Sequence, residues 1–423
     1  MLRYLAAVRK TELPALGWSF LYFFCLLCGY YVLRPVRDEM GIAGGIENLP
    51  WLFTGTFAAM LAMVPLFGWV TTRFPRRVML PAVYAFFIAN LLIFFGLMKS
   101  AAPPAVVAAA FFVWVSVFNL FVVSVFWSFM VDLWSNEQGK RLFGLIAAGG
   151  SAGALAGPAL TAALVVPLGV ANLLLVSALF LGVAVICIHR LLACDPDPDA
   201  RLEAGRDGAD TAIGGDIWAG VRTVAASGYL LGTCLYLLLF SLLFTFLYFE
   251  QARIMAATLP SGAERTQLFA LIDLAVNLFS LLLQAFVTSR LLAGIGVAGT
   301  LALLPALSVP GFIAVGAAPT LVVIVAFQVA RRAGEYAIAK PARELLFAVL
   351  DRERKYKAKN FIDTVVFRGG DMASGWLLTA LKALGLGVAA LTALAVPVAL
   401  AWLATAWLLG KRQEALARER AEG

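Results

Sequence analysis

The chain has 423 residues, 62% of them hydrophobic and 14% charged, with a mean hydropathy of +0.90. A soluble globular domain is about 45–50% apolar and about 25% charged, so this composition excludes one and specifies a protein that crosses a membrane many times. The excess of 33 Lys+Arg over 25 Asp+Glu reads as loops held in the cytoplasm, and no nucleic-acid partner is expected.

At a rise near 1.5 Å per residue, about 20 apolar residues cross the hydrocarbon. Twelve segments meet that test, at roughly 15–35, 50–71, 78–98, 105–131, 143–166, 169–190, 228–250, 266–288, 296–316, 319–341, 360–381 and 387–409. The first is long enough to span and lacks a small-residue cleavage site, so no cleavable signal is expected. With the N-terminus inside, 23 of the 33 basic residues fall on the cytoplasmic side, six on the other (Arg34, Arg37, Lys99, Arg253, Arg265, Lys382) and four within spans. Both termini are therefore expected in the cytoplasm. A polar stretch at 194–226, containing DPDPDARLEAGRDGADTAIGGD, reads as a linker between two sets of six spans. Asp195, Asp197 and Asp199 alternate as in some calcium loops, but the prolines and the missing glycine and distal Glu argue against an EF-hand.

Span one contains Cys25 and Cys28, a CxxC inside hydrocarbon with no second pair, which reads as helix packing. It ends in YYVLRPVRDEMGIAGGIENLPWLF, where Arg34, Arg37, Asp38 and Glu39 crowd the non-cytoplasmic mouth. These arginines either snorkel to the interface or receive an anion. The next loop, GWVTTRFPRR, partly resembles the major-facilitator loop signature, with threonine at its acidic position. Span four closes in FWSFMVDLWSNEQGKRLFG, which places Asp132, Glu137, Lys140 and Arg141 at the cytoplasmic edge. In span five, Gly144, Gly153 and Gly157–Pro158 resemble the superfamily's antiporter signature without its terminal glycine pair. Gly149, Gly153 and Gly157 recur every four residues, a flat strip that lets another helix approach, whether for gating or plain packing. His189, the single histidine, sits at a helix end. Glu250 and Asp273 are isolated acids in spans seven and eight, each a candidate counter-ion or proton carrier.

Spans ten and eleven carry charges where hydrocarbon should exclude them. In FQVARRAGEYAIAKPARELLF, Gln328, Arg331, Arg332 and Glu335 share an arc of roughly 100°. Glu335 is four residues from Arg331 and three from Arg332, within pairing reach on a regular helix. In KNFIDTVVFRGGDMASGW, Asn360, Asp363, Thr364, Arg368, Asp371 and Ser374 cover an arc of about 140°. A charge at mid-bilayer costs several kcal/mol, so such a face lines water or protein. It is either an anion site or a salt-bridge latch of Arg368 with Asp371 or Asp273 and of Arg331 with Glu335.

Four stretches together resemble the nucleotide-transporter family that includes the ATP/ADP translocases of plastids and obligate intracellular bacteria. They are YYVLRPVRDEMGIAGGIENLPWL, FWSFMVDLWSNEQGKRLFG, EYAIAKPARELLFAVLDRE and KYKAKNFIDTVVFRGGDMASGW. The resemblance implies the major-facilitator fold, with exchange of nucleoside triphosphate for diphosphate. It aligns Arg34 and Arg37 with a basic first-span motif, Lys140 and Arg141 with a basic pair, and Lys340 and Arg343 with a Pro-flanked basic motif. The chain is shorter than the translocases and its Arg331–Arg332 pair is denser, as in a short bacterial branch whose cargo need not be a nucleotide.

The expected molecule is an all-α membrane protein of twelve helices in two pseudo-symmetric six-helix bundles, 1–193 and 227–423, joined by the linker 194–226. It is expected to exchange an anionic, phosphorylated, nucleotide-like metabolite across a bacterial cytoplasmic membrane by alternating access. Arg34, Arg37, Arg331, Arg332, Lys340 and Arg368 would bind substrate, because a guanidinium fork suits phosphate. Asp273, Glu335 and Asp371 would be counter-charges or coupling groups, and Gly149, Gly153, Gly157 and Pro158 would serve gating or packing. Proton-coupled movement of another organic anion is the alternative, with Asp273 or Glu335 as carrier. A membrane-embedded phosphotransfer enzyme is a distant third, since no catalytic constellation is recognisable. No GxxxxGK[ST] loop is present, so ATP would be cargo and not fuel. No cofactor and no metal are expected; the partners are a small anionic solute and the lipid bilayer, and the protein is expected to be a monomer.

Overall fold

Long apolar runs punctuated by proline, glycine and short polar loops leave the backbone one way to satisfy itself in hydrocarbon, the helix. A computed structural model of the chain describes residues 8–74, 76–194 and 217–422, and among these residues the regular structure is helical throughout. The greater part of the linker, residues 195–216 with Asp195, Asp197 and Asp199, lies outside the described residues. So do the side chains of Thr71, Thr72 and Asn360.

In chain order the helices are α1 (Leu13–Ala43), α2 (Leu49–Arg73), α3 (Arg76–Lys99), α4 (Pro104–Leu133), α5 (Asn136–Leu168) and α6 (Leu173–Ala193). A short helix, Ile217–Ala225, precedes α7 (Gly228–Thr258), α8 (Gly262–Phe286) and α9 (Thr288–Ala317). Then come α10 (Leu321–Gly334), α11 (Phe367–Ala383) and α12 (Val388–Glu422). Among the described residues, nine helices are long and apolar enough to cross a membrane. The predicted spans two, ten and eleven are occupied by α2, α10 and α11. The last two are broken: a π turn, Glu335–Ala339, follows α10 and leads into Lys340–Leu346. A second, Ile362–Val366, joins Arg352–Phe361 to α11. Each π turn sits in a charged span.

Local chemistry explains the ends. Pro104 opens α4 where its missing N–H costs nothing. Ser135 caps α5 in a reciprocal box with Gln138, whose side chain accepts from the Ser135 N–H at 3.0 Å. Gly169 ends α5 at φ +84°, a conformation an L side chain rarely adopts. Gly296, at φ +68°, kinks α9 where the predicted span nine begins.

The contacts gather into two compact units. The first comprises Met1–Gly45, Ala58–Ile213 and Leu259–Leu274, and the second Ile46–Phe57, Gly214–Thr258 and Ala275–Gly423, each as far as it is described. In the first unit α1 packs against α4, α5 and α6, and α3 against α6. Its core is aromatic: Phe23 stacks on Phe126 with centroids 4.2 Å apart, and the buried Tyr22 hydroxyl donates to Tyr84 at 2.6 Å. The glycine strip of α5 lies against α1. A Cβ at Gly149 would strike the Phe20 carbonyl, one at Gly153 the Phe24 carbonyl, and one at Gly157 would come within 2.6 Å of the Cys28 carbonyl. Pro158 is buried on the same helix. In the second unit α12 packs along α9 and α7, and α7 against α11. The buried Trp402 rests on Tyr236 and Phe240.

Candidate functional site

The charged residues of the second unit are organised by an aromatic ladder. Phe240 and Phe244 are four apart on α7 and so share a face. Their rings stack with centroids 6.0 Å apart, and Phe240 stacks equally on Phe367, the first residue of α11. Three guanidinium groups lie on this ladder. Arg331 is 4.8 Å from the Phe244 centroid and 5.8 Å from that of Phe240. Arg343 and Arg368 lie over Phe367 at 5.9 and 5.5 Å. Ring quadrupoles attract cations most where water is excluded, so the ladder holds the arginines without neutralising them.

Arg331 is 2% exposed. Its Nη2 donates to Gln328 Oε1 at 3.2 Å, one turn back on α10, and Gln328 in turn donates to the buried Gln251 of α7. Among the described residues no acceptor meets Arg331 Nε. Arg368 is the accessible member, with 40% of its side chain exposed and Asp371 at 3.9 Å. Asp371 accepts from Ser241 of α7. Glu335 forms its ion pair with Arg343 at 3.4 Å. The sequence spacing pointed to Arg331 or Arg332, which precede it on regular helix; Arg343 comes within reach because the π turn that starts at Glu335 adds a residue to the turn and changes the register of the residues beyond it. Arg332 is half-buried, and Lys340 is exposed just beyond the π turn. Lys359 and Glu344 pair at 2.5 Å.

Glu250, also in the second unit, pairs with Arg253 at 2.8 Å. The first unit holds a further set of charges. Arg34 lies 3.6 Å from Asp273, and its guanidinium is 5.7 Å from the Tyr31 ring. Arg37 is 3.9 Å from the Phe112 ring, donates to the Phe112 carbonyl at 3.3 Å and pairs with Asp38 at 3.3 Å. Glu39, 2% exposed, accepts two bonds of 2.7 Å from Arg265 Nε and Nη2. Arg265 Nη1 also donates to the Leu259 carbonyl at 2.8 Å. At the start of α1, Glu12 accepts from Arg141 Nη2 at 2.8 Å, from Gln138 at 3.2 Å and from the Arg9 N–H at 3.0 Å. Burial acts to raise the Glu12 carboxyl, but these donors outweigh it and hold it below its ordinary value.

The residues singled out in the sequence thus fall into two groups. Arg34, Arg37, Asp273 and the glycine strip belong to the first unit, and Arg331, Arg332, Glu335, Lys340, Arg368 and Asp371 to the second. Gln251, Ser241, the phenylalanine ladder and the Glu39–Arg265 pair escaped sequence reading. Phenylalanine in a span is indistinguishable from lipid-facing filler, and neither Glu39 nor Arg265 has its partner nearby in sequence. Among the described residues no three His, Cys, Asp or Glu side chains converge as metal ligands would.

Comparison with curated proteins found no match. Among solved structures the chain is similar to a bacterial homologue of the iron transporter ferroportin in an inward-facing state, with TM-score 0.63 and 13% identity over 96% of this chain and 98% of that one. It is similar to the nucleoside transporter NupG, with TM-score 0.61 and 11% identity over 96% and 99% of the two chains. A POT family transporter in complex with a thioalcohol-conjugated peptide gives TM-score 0.63 and 12% identity over 96% and 99%. At these identities the likeness is one of fold. The family model described as Major Facilitator Superfamily matches residues 18–330, most of the chain. Length, all-helical membrane architecture and this match agree, and the chain belongs to the Major Facilitator Superfamily.

Proposed function

We propose that this transporter exchanges an anionic, phosphorylated metabolite of nucleotide-like character, by alternating access between its halves 1–193 and 227–423. The observation that carries the reading is the phenylalanine ladder bearing Arg331, Arg343 and Arg368. The ladder gathers three guanidinium groups, of which Arg343 and Arg368 already stand beside carboxylates and Arg331 keeps an unmet Nε, and a phosphate presents the acceptor oxygens that guanidinium forks fit. Arg368, the accessible one, meets the anion first; Arg331, with its unmet Nε, is the deeper donor. Arg332 and Lys340 extend the cationic surface in the same unit, Arg34 and Arg37 supply a second basic group, and Asp371, Glu335 and Asp273 are the counter-charges. On this reading the protein is a monomer in a bacterial cytoplasmic membrane with both termini inside, and it leaves its substrate chemically unchanged.

Reconstitution into liposomes tests this. Uptake of labelled nucleotide or sugar phosphate should depend on unlabelled phosphorylated solute inside. Uptake driven by a proton gradient into empty vesicles would replace exchange with proton coupling. Conversion of the solute would make the protein an enzyme.

A further inference from the structure

The second unit contains a cavity of about 850 Å³ away from the ladder, formed where the start of α7, residues 349–351 with Arg354, and the second half of α12 meet. Its wall changes character along its depth. Where the apolar run of α12 gives way to KRQEALARER it is lined by Arg354, Arg412 and Asp351. Deeper, it is lined by Leu235 and Leu408, which are 48% and 69% exposed. Leu408 precedes Arg412 by four residues, about 6 Å along α12. Leu235 is seven residues into α7, about 10 Å from its first residue. Leucines so exposed on spanning helices face acyl chains, whereas arginines just past the end of an apolar run stand at headgroup depth.

The charge at the mouth is positive. Asp351 is already held by Arg420 at 2.5 Å, and Arg354 Nε stands off it at 4.0 Å. Among the described residues lining the cavity, two guanidinium groups thus accompany one carboxylate that Arg420 already pairs, and Arg354, with 72% of its side chain exposed, and the exposed Arg412 leave a positive surplus. A soluble anion would gain nothing from the leucines, and a neutral lipid nothing from the surplus charge.

We propose that this cavity binds an anionic phospholipid of the surrounding leaflet, with its phosphate at Arg354 and Arg412 and an acyl chain against Leu235 and Leu408. The site lies apart from Arg331 and Arg368 and does not depend on what the transporter carries. Basic pockets at the ends of spanning helices suit such headgroups, and each basic residue near an anionic surface contributes about a 5-fold preference.

The full-length protein would be placed in nanodiscs containing phosphatidylglycerol and phosphatidylcholine, and retained lipid counted by native mass spectrometry after transfer to detergent. Phosphatidylglycerol should be retained selectively. Arg354→Gln and Arg412→Gln should each lower that selectivity about 5-fold, and the pair about 25-fold, with the melting temperature in pure phosphatidylcholine unchanged. Arg354→Lys with Arg412→Lys should keep most of it. Should the paired glutamine variant prove unstable, the single variants carry the test. Equal retention by parent and variants overturns the proposal. So does thermal protection by inorganic phosphate or glycerol 3-phosphate equal to that by phosphatidylglycerol, which would make this a site for a free anion.

Discussion

Arg265→Gln should destabilise the first unit by about 3–5 kcal/mol, because it strands a buried partner. Glu39 is 2% exposed and accepts both of its short bonds, 2.7 Å each, from this one guanidinium. A hydrogen bond to a charged group contributes about 1.5–3 kcal/mol, so losing two removes about 3–6 kcal/mol. Breaking a buried ion pair from one side costs about 3–5 kcal/mol, because the other charge remains desolvated and uncompensated. The bonds from Arg265 Nη1 to the Leu259 and Pro260 carbonyls, at 2.8 and 3.2 Å, are lost as well, but those acceptors lie nearer solvent and add little. The same physics supplies a remedy. Glu39→Gln in the Arg265→Gln background removes the stranded charge and leaves two amides able to bond each other, so at least half the loss should return. Equilibrium unfolding in mixed micelles, run as a double-mutant cycle over the four proteins, reads both quantities. A loss under about 1 kcal/mol for Arg265→Gln, or a double variant no more stable than the single, would show that water reaches Glu39 and that the pair is not a buried one.

Arg331→Lys and Arg368→Lys keep the charge but lose the planar fork, so at least one should weaken binding of the phosphorylated solute by about 5- to 150-fold in ligand-dependent thermal shift while keeping its ligand-free melting temperature; full transport by both would mean that charge alone suffices. Gly153→Leu would drive a side chain into the Phe24 carbonyl and the Cys28 N–H of α1, and should abolish monodisperse protein in size-exclusion chromatography, whereas Gly144→Ala, with nothing within 4 Å of its Cβ position, should behave as the parent. Because the folded-state pKa of Glu12 is held below its ordinary 4.5, its contribution to stability is complete above the unfolded value and disappears as pH falls through the lower folded one; melting curves between pH 7 and pH 3 should therefore show an acid-dependent loss that shrinks in Arg141→Gln, and identical acid profiles would count against it.

The number and places of the apolar runs are legible in the chain itself, because crossing hydrocarbon requires about 20 apolar residues whatever the neighbours are. Equally legible are the interruptions of such runs by Arg331, Glu335, Arg368 and Asp371, and the smooth helix face made by Gly149, Gly153 and Gly157. These are properties of one segment with a known period. Which groups meet was decided elsewhere. That α1 is the helix against the glycine strip, that Glu39 finds Arg265 across 226 residues, and that Phe240 and Phe244 of α7 align with Phe367 of α11 depend on contacts between segments far apart in the chain. No local pattern encodes those contacts. The partner of Glu335 shows the limit most sharply. A regular helix brings Arg331 and Arg332, four and three residues back, to Glu335 and leaves Arg343, eight residues on, about 80° away around the axis. The π turn at Glu335–Ala339 closes through a wider ring and shifts the residues beyond it, so that Glu335 pairs with Arg343. Such a turn costs regular hydrogen bonding and persists only where tertiary packing holds it, so the backbone that positions these charges was set by the folded unit.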